Sequence, residues 1–204
     1  MTRATLLSVL RHGTVAGRPD VFRGRSDPEL DTDGRAQMWG SAQSLDDPAW
    51  FRVMTSPRRR CHDFAAEQAR NRGIPLDVDP RWAEIDFGAW EELTPKEALA
   101  RDGAACQVFL DHPEKHRPPQ GESFTEFHTR VLAAFDSLPV GEAGHYLLVT
   151  HAGVMRVILS HVLGLTFRSA RAIALAPAAH FRLSLLPGHA PILLSLHGEG
   201  RCMD

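Results

Sequence analysis

The sequence predicts an α/β fold with three layers, α/β/α, in which a mostly parallel sheet carries helices on both faces. Two short apolar runs, TLLSVL at 5–10 and HYLLVT at 145–150, have the length and composition of buried strands. Segments of helical periodicity alternate with such runs, which is typical of α/β folds. A chain of 204 residues with 43% hydrophobic and 24% charged residues can bury one sizeable core. We therefore expect a single domain over 1–204.

The first half of the chain contains three predicted strands separated by loops and helices. Gly, Pro, Asp and Arg concentrate at 14–31, which favours a loop, and Thr32 is a suitable N-cap for the helix that follows. Pro57 suits the first turn of a second helix, because that turn leaves its N–H groups unpaired and proline has none. The expected strands are 5–10, 51–55 and 74–78, and the expected helices are 32–45 and 57–71.

The second half begins with a loop-like segment at 81–90 and a helix at 94–111 that is expected to break near Gly103. Prolines place 112–121 in a surface loop. The clearest amphipathic helix is 123–138, where large apolar residues recur at helical spacing. The remaining expected elements are a strand at 145–150, a helix at 154–163 and closing strands at 171–176, 179–186 and 191–197.

Composition narrows the possible classes of function. The formal net charge is −2, so no overall basic field indicates a nucleic-acid partner. No stretch is long and apolar enough for a membrane span, and the N-terminus lacks the features of a signal peptide. The three cysteines, Cys61, Cys106 and Cys202, are far apart and form no CxxC pair, which indicates neither a disulfide framework nor a zinc site. We expect a cytoplasmic protein.

Polar residues with phosphate-binding chemistry follow three of the predicted strands. These are RHG at 11–13, SPRRR at 56–60 and HAG at 151–153. Ligands bind at the carboxyl ends of strands in open α/β sheets, so the three segments are expected to meet in one pocket. Arginine offers paired donors that match phosphate oxygens, and histidine can act as a nucleophile. The pattern predicts a phosphate site with a nucleophilic histidine.

Four motifs in this order resemble those of the histidine phosphatase superfamily, also called the phosphoglycerate mutase-like family. LLSVLRHG resembles its first strand and RHG signature, which implies that Arg11 binds phosphate and that His12 is the nucleophile. TSPRRRC is similar to S-P-L-x-R-A and implies a second phosphate-binding arginine at Arg60. AEIDFGAWEELT is similar to E-x-x-F-G-x-W-E-G and implies that Glu84 is the proton donor. VTHAGVMR is similar to V-S-H-G-G-V-x-R and makes His151 the second histidine of the pocket.

Within that superfamily, FRGRSDPELDTDGRAQM at 22–38 and PPQGES at 118–123 resemble the α-ribazole phosphatase group of cobalamin synthesis. This likeness implies that Arg23 and Gly24 also bind substrate. The chain departs from the superfamily motifs at several positions, which bear on substrate contacts and on mutase activity rather than on the phosphatase chemistry. They are Thr14 in place of an acidic residue, Arg58 in place of leucine, and Glu92 and Ala152 in place of glycine.

The resemblance implies hydrolysis of a small phosphate monoester through a phosphohistidine, with α-ribazole 5′-phosphate as the first candidate substrate. Glu84 must hold a proton for the leaving group, and neither a metal nor a cofactor is required. One alternative is a phosphoglycerate mutase-type phosphotransferase, which the modest length of 90–121 disfavours because mutases carry a long insertion. The other is a non-catalytic phospho-ligand-binding domain, which the presence of His12, Glu84 and His151 disfavours. The closing strands offer a route to a homodimer.

Overall fold

Six strands form one sheet in a computed structural model, which describes residues 4–142 and 144–198. They are β1 (Thr5–Arg11), β2 (Arg52–Thr55), β3 (Leu76–Val78), β4 (Gly144–Thr150), β5 (His180–Leu185) and β6 (Ile192–His197). Their order across the sheet is β3-β2-β4-β1-β5-β6. The pairings β1–β4, β2–β4 and β2–β3 are parallel, whereas β5 runs antiparallel to both β1 and β6. The predicted mostly parallel sheet is confirmed.

Helices cover both faces of this sheet. The helices are α1 (Thr32–Leu45), α2 (Arg59–Arg72), α3 (Pro95–Asp111), α4 (Phe124–Asp136), α5 (Ala152–Leu163) and the short α6 (Phe167–Ala170). Side chains of β1 alternate between two apolar clusters, as the pleat of a strand requires. Leu7 and Val9 pack in the cluster that holds α3, α4 and α5, whereas Leu10 packs in the cluster of α1 and α2. The three-layer α/β/α prediction is therefore confirmed.

The N-cap of the first helix and the start of the second differ from those predicted, and the third helix breaks where expected. Asp31, not Thr32, is the N-cap of α1, because its carboxylate accepts the N–H of Gly34 at 2.6 Å. Helix α2 begins at Arg59, two residues later than predicted, so Pro57 lies before the helix rather than in its first turn. The helix at 94–111 does break as predicted, since Gly103 has φ 46° and ψ −116°.

The prediction of a strand at 171–176 is wrong. This segment leaves α6 through a turn and pairs with no strand. Leu175 is buried in the cluster of α3, α4 and α5, and Ile173 packs against that cluster. The apolar character of the segment therefore reflects the packing of Ile173 and Leu175 against that cluster, not strand formation. Short 3-10 turns lie within the predicted loops, at Pro80–Trp82, Gly88–Trp90 and Pro113–Lys115.

The cysteines of the described residues form no disulfide. Cys61 and Cys106 are buried free thiols, and Cys202 lies outside the described residues. Burial raises the pKa of the Cys61 thiol to about 12, which makes it unreactive at neutral pH. Among residues 4–142 and 144–198, no helix is long and apolar enough to cross a membrane.

The backbone that follows β1 and the first turn of α1 approach each other so closely that only glycine fits at the contact. A Cβ atom on Gly13 would lie 2.1 Å from the carbonyl oxygen of Gly34, and one on Gly34 would lie 2.0 Å from that of Thr14. The Thr14 hydroxyl also donates to Asp31 at 2.6 Å. The start of α1 therefore holds the loop that carries His12.

Replacing Gly34 by alanine is expected to lower the free energy of unfolding by about 1–3 kcal/mol, because the added methyl group collides with backbone. Gly40→Ala in the same helix is the matched control, since a Cβ atom there has no neighbour within 4 Å. That change is expected to stabilise the protein by about 0.5–1 kcal/mol through helix propensity. Urea unfolding measures both changes, and equal effects of the two substitutions would contradict the close contact.

Candidate active site

The pairing of β1 with β4 brings the two histidine motifs together. Arg11 is in register with Thr150, and the backbone N–H of His12 donates to the Thr150 carbonyl at 2.9 Å. The rings of His12 and His151 consequently lie side by side, with centroids 5.3 Å apart and planes at 66°.

His12 carries its proton on Nδ1. This atom lies 2.8 Å from the carbonyl oxygen of Gly13, and a carbonyl can only accept a hydrogen bond. In the neutral ring the lone pair is therefore on Nε2. That nitrogen has the electronic form that a nucleophile requires.

The guanidinium of Arg11 lines the same cleft as His12. Its Nη1 group donates to the carbonyl of Leu175, in the segment that the sequence had suggested was a strand. Its Nε is buried and has no hydrogen-bond partner among the described residues. Burial lowers the pKa of Arg11 to about 10, so the group remains charged at neutral pH. An unpaired donor on a buried cation favours the binding of an anion.

Arg60 lies behind His151 and is fully buried. Its Nε–H points at Nδ1 of His151 at 3.3 Å, and an arginine N–H can only donate. His151 must therefore carry its own proton on Nε2, which lies 2.8 Å from the hydroxyl of Ser56. Arg60 thus sets the tautomer of His151, and Ser56 holds the proton-bearing side of that ring. Motif matching alone had not assigned a role to Ser56.

Backbone carbonyls accept most of the remaining N–H groups of Arg60. It donates to Ser26 at 2.7 Å and to Arg23 and Gly24 at 3.2 Å each. Together with the bond to His151, four of its five N–H groups are engaged, so at most one remains for a ligand. The positive charge of Arg60 nevertheless remains beside the histidines, with no carboxylate among these hydrogen-bond partners.

Glu91 holds the loop that surrounds Arg60. Its carboxylate accepts the backbone N–H groups of Gly24, Arg25, Ser26 and Phe87 at 2.8–3.1 Å. The sequence motifs assigned no role of its own to Glu91. Three of these amides lie more than sixty residues away in the chain, so no local pattern could have revealed this role.

The carboxylate of Glu84 lies at the N-terminus of α5. It accepts the backbone N–H of Gly153 at 2.9 Å and that of Ile85 at 3.1 Å. A Cβ atom on Gly153 would lie 2.1 Å from Oε1 of Glu84, so a side chain at 153 would displace the carboxylate. Glu84 lines the same cleft as Arg11 and His12.

Arg23 and Gly24, the two further residues expected to bind substrate, differ in position. The side chain of Arg23 lines the cleft and pairs with Glu92 at 3.0 Å. Gly24 is buried, its N–H is bound to Glu91, and its carbonyl is bound to Arg60. Gly24 thus supports Arg60 through its backbone, and its contact with substrate stays a prediction.

Burial and positive charge keep both histidines neutral. Burial lowers the pKa of His12 well below its ordinary value of 6.5, and the charges of Arg11 and Arg60 lower it further. The pKa of His151 is also lowered well below 6.5, first by burial and then by Arg60 and His12. Neutral histidine beside cationic arginine suits both a nucleophile and an anionic ligand.

The cleft in front of His12 has a volume of about 630 Å³. It is lined by the 11–15 segment, by residues of the following loop, and by Glu84 and Phe87. Within residues 4–142 and 144–198, no three histidine, cysteine, aspartate or glutamate side chains cluster as metal ligands would.

Two neutral histidines and buried arginines at the strand ends of a mostly parallel sheet have the chemistry of a site for an anionic ligand. A model of the histidine phosphatase superfamily (branch 1) matches residues 7–195. The chain belongs to this superfamily.

Curated relatives include the bifunctional protein Rv2228c of Mycobacterium tuberculosis, which is 35% identical over 167 residues. That match covers 76% of this chain and 43% of the relative, so this chain spans less than half the length of Rv2228c. The probable phosphoglycerate mutase GpmB of Yersinia enterocolitica is 32% identical over 176 residues, with 82% of this chain and 79% of the relative covered.

Solved structures share the fold at low sequence identity. The α-ribazole phosphatase of Shigella flexneri superposes with a TM-score of 0.76 at 21% identity, covering 93% of this chain and 96% of the other. The mycobacterial glucosyl-3-phosphoglycerate phosphatase Rv2419c superposes with a TM-score of 0.79 at 24% identity, covering 97% and 100%. At these identities the likeness is one of fold.

The histidine pKa values predict that acid destabilises the protein. The folded pKa of His12 and of His151 is lower than the unfolded value near 6.5, so the unfolded chain binds more protons below that pH. The free energy of unfolding should therefore fall as pH drops below about 6.5, by up to ~1.4 kcal/mol per pH unit for each histidine. Urea unfolding at a series of pH values measures this slope.

His151→Asn is expected to reduce the slope, because it removes one of the buried titrating groups. His189→Asn, at an exposed histidine, is the control and is expected to keep the parent slope. An unchanged slope in His151→Asn would contradict a neutral, buried His151.

Proposed function

We propose that the chain is a phosphatase that hydrolyses a small phosphate monoester through a phosphohistidine on His12. The observation that carries this proposal is the hydrogen bond from Nδ1 of His12 to the Gly13 carbonyl, which leaves the lone pair on Nε2. The lowered pKa of His12 supports it, because the ring is neutral at physiological pH. The presence of Arg11 and Glu84 in the same cleft also supports it.

The reaction divides into two displacements. Nε2 of His12 attacks phosphorus in line while the bond to the leaving oxygen breaks, and Glu84 gives its proton to that oxygen. Arg11 and the charge of Arg60 stabilise the negative charge on the transferring group, and His151, whose Nε2–H is bound to Ser56, lies beside the ring of His12. Water then attacks the phosphohistidine and gives a proton to Glu84. Inorganic phosphate leaves, and His12 is neutral again.

The first candidate substrate is α-ribazole 5′-phosphate. The motif resemblance at 22–38 supports it, as does the structural likeness to the Shigella flexneri α-ribazole phosphatase. A place in cobalamin synthesis follows if this substrate is correct. The same proposal places the protein in the cytoplasm, with neither a nucleic-acid nor a membrane partner.

A phosphoglycerate mutase-type activity is the second candidate, favoured by the likeness to GpmB proteins. A mutase must shield the phosphohistidine from water, and the 90–121 segment is occupied by α3 and short turns without a long insertion. A third candidate is a non-catalytic phospho-ligand-binding domain, and turnover of p-nitrophenyl phosphate separates it from both enzymes.

A homodimer is proposed through β6, the edge strand on which Ile192 and Leu194 are 60% and 52% exposed.

Replacing His12 by alanine is expected to reduce turnover by several orders of magnitude and to abolish the phosphoenzyme, because the attacking atom is lost. Trapping with labelled substrate should find an acid-labile, alkali-stable phosphoramidate in the parent protein. Label on serine, cysteine or aspartate, or full activity of the His12→Ala variant, would overturn the assignment of His12.

Glu84→Gln keeps the shape of the side chain but removes its proton. General acid–base catalysis contributes roughly 10²–10⁴-fold, so this variant should be slow rather than inactive. The defect should be much larger for a sugar phosphate than for p-nitrophenyl phosphate, because p-nitrophenolate leaves without protonation. The two substrates serve as controls for each other, and an equal loss on both would contradict the role of Glu84 as proton donor.

Activity is expected to survive removal of divalent metal ions. His12 supplies the nucleophile and arginines neutralise the phosphate, so no step requires a metal. The measurement is the rate of p-nitrophenyl phosphate hydrolysis after exhaustive dialysis against a chelator. Loss of activity with rescue by one divalent ion would point to another mechanism.

A further inference from the structure

A second, largely aromatic pocket lies beside the His12 cleft. Its volume is about 290 Å³. Six phenylalanines line it, namely Phe22, Phe87, Phe109, Phe124, Phe127 and Phe167. Such a lining favours a flat apolar group, because aromatic rings stack on one another and exclude water.

The pocket and the cleft share a boundary. Phe22, Phe87 and Glu84 line both cavities, whereas His12 lines only the cleft and Gly153 only the pocket. Glu84 thus lies between His12 and the aromatic pocket, and a leaving group protonated by Glu84 would lie next to that pocket.

Two arginines give this pocket a positive charge. Arg156 and Arg171 both line it, and Glu84 is the one acidic residue of the described lining. The Nε of Arg156 is buried and has no partner among the described residues, whereas Arg171 donates to the Leu110 carbonyl. When Glu84 carries the proton that the leaving group needs, no negative charge in the lining balances the two cations. An anion on the ligand would supply that balance.

We propose that the aromatic pocket binds the leaving group of the substrate, and that this group combines an aromatic ring with a carboxylate held by Arg156. The inference rests on the proposed phosphatase function and names its substrate class. α-Ribazole 5′-phosphate would supply the ring system but no carboxylate. 3-Phosphoglycerate would supply a carboxylate but no ring. The pocket fits a phosphate monoester that has both features.

The test compares matched monoesters whose leaving alcohols differ little in acidity. Benzyl phosphate is measured against its meta- and para-carboxybenzyl analogues, with ethyl phosphate as the ester that lacks a ring. A hydrogen bond to a charged group contributes ~1.5–3 kcal/mol, which corresponds to about ten- to hundredfold in kcat/KM. At least one carboxybenzyl ester should be preferred over benzyl phosphate by this factor.

Arg156→Met is expected to bring the preference for carboxybenzyl over benzyl phosphate close to one. A ratio of two rates in one sample does not depend on the fraction of folded enzyme. Arg168→Met is the matched control, because Arg168 is an exposed arginine of α6 outside the pocket lining, and it should keep the parent ratio. Phe167→Ala should lower the preference for benzyl over ethyl phosphate.

The failures of the two proposals are distinguishable. If p-nitrophenyl phosphate is hydrolysed through His12 but neither carboxybenzyl ester is preferred, the substrate class is wrong and the phosphatase function stands. A preference that persists in Arg156→Met also overturns the role of Arg156. If no monoester is hydrolysed at all, the phosphatase function fails and this inference fails with it.

Discussion

The candidate site depends on the burial of one guanidinium, that of Arg60. A buried cation without a carboxylate partner is costly unless its N–H groups are satisfied. The structure satisfies them with His151 and with three carbonyls of the 23–26 loop. The loop is held in turn by the carboxylate of Glu91, which accepts four backbone amides. The tautomer of His151, the course of the loop and the position of Glu91 thus follow from a single buried charge.

The electrostatic consequence is a pocket with an excess of positive charge around neutral histidines. Arg11 and Arg60 both lower the pKa of His12, in addition to the effect of burial. The same charges attract a phosphate dianion and would stabilise it during transfer. In the proposed reaction, nucleophile activation and anion binding would therefore have a common physical cause. Neither requires His12 to hydrogen-bond to a carboxylate, because a backbone carbonyl already orients its ring.

In the proposed reaction, Glu84 lies between the groups that act on phosphorus and those that would recognise the leaving group. On one side lie His12 and the arginine-rich cleft, and on the other lie the phenylalanines and Arg156. The carboxylate is held by the N-terminus of α5, whose glycine at 153 leaves room for it. Residues of the aromatic pocket can therefore vary without moving the groups that act on phosphorus, which is a physical basis for different substrates on one fold.

The sequence by itself determined the fold class, the strand ends and most of the residues that meet there, because apolar runs and polar strand termini are local patterns. RHG and HAG converge as expected, since parallel pairing of β1 with β4 places equivalent strand ends side by side. Only the tertiary structure decided that 171–176 is a turn and loop with Leu175 buried, that Gly24 supports Arg60, and that Glu91 organises the loop. These outcomes depend on contacts between segments that are tens of residues apart in the chain. A local sequence pattern does not show which distant backbone groups will need a hydrogen-bond partner.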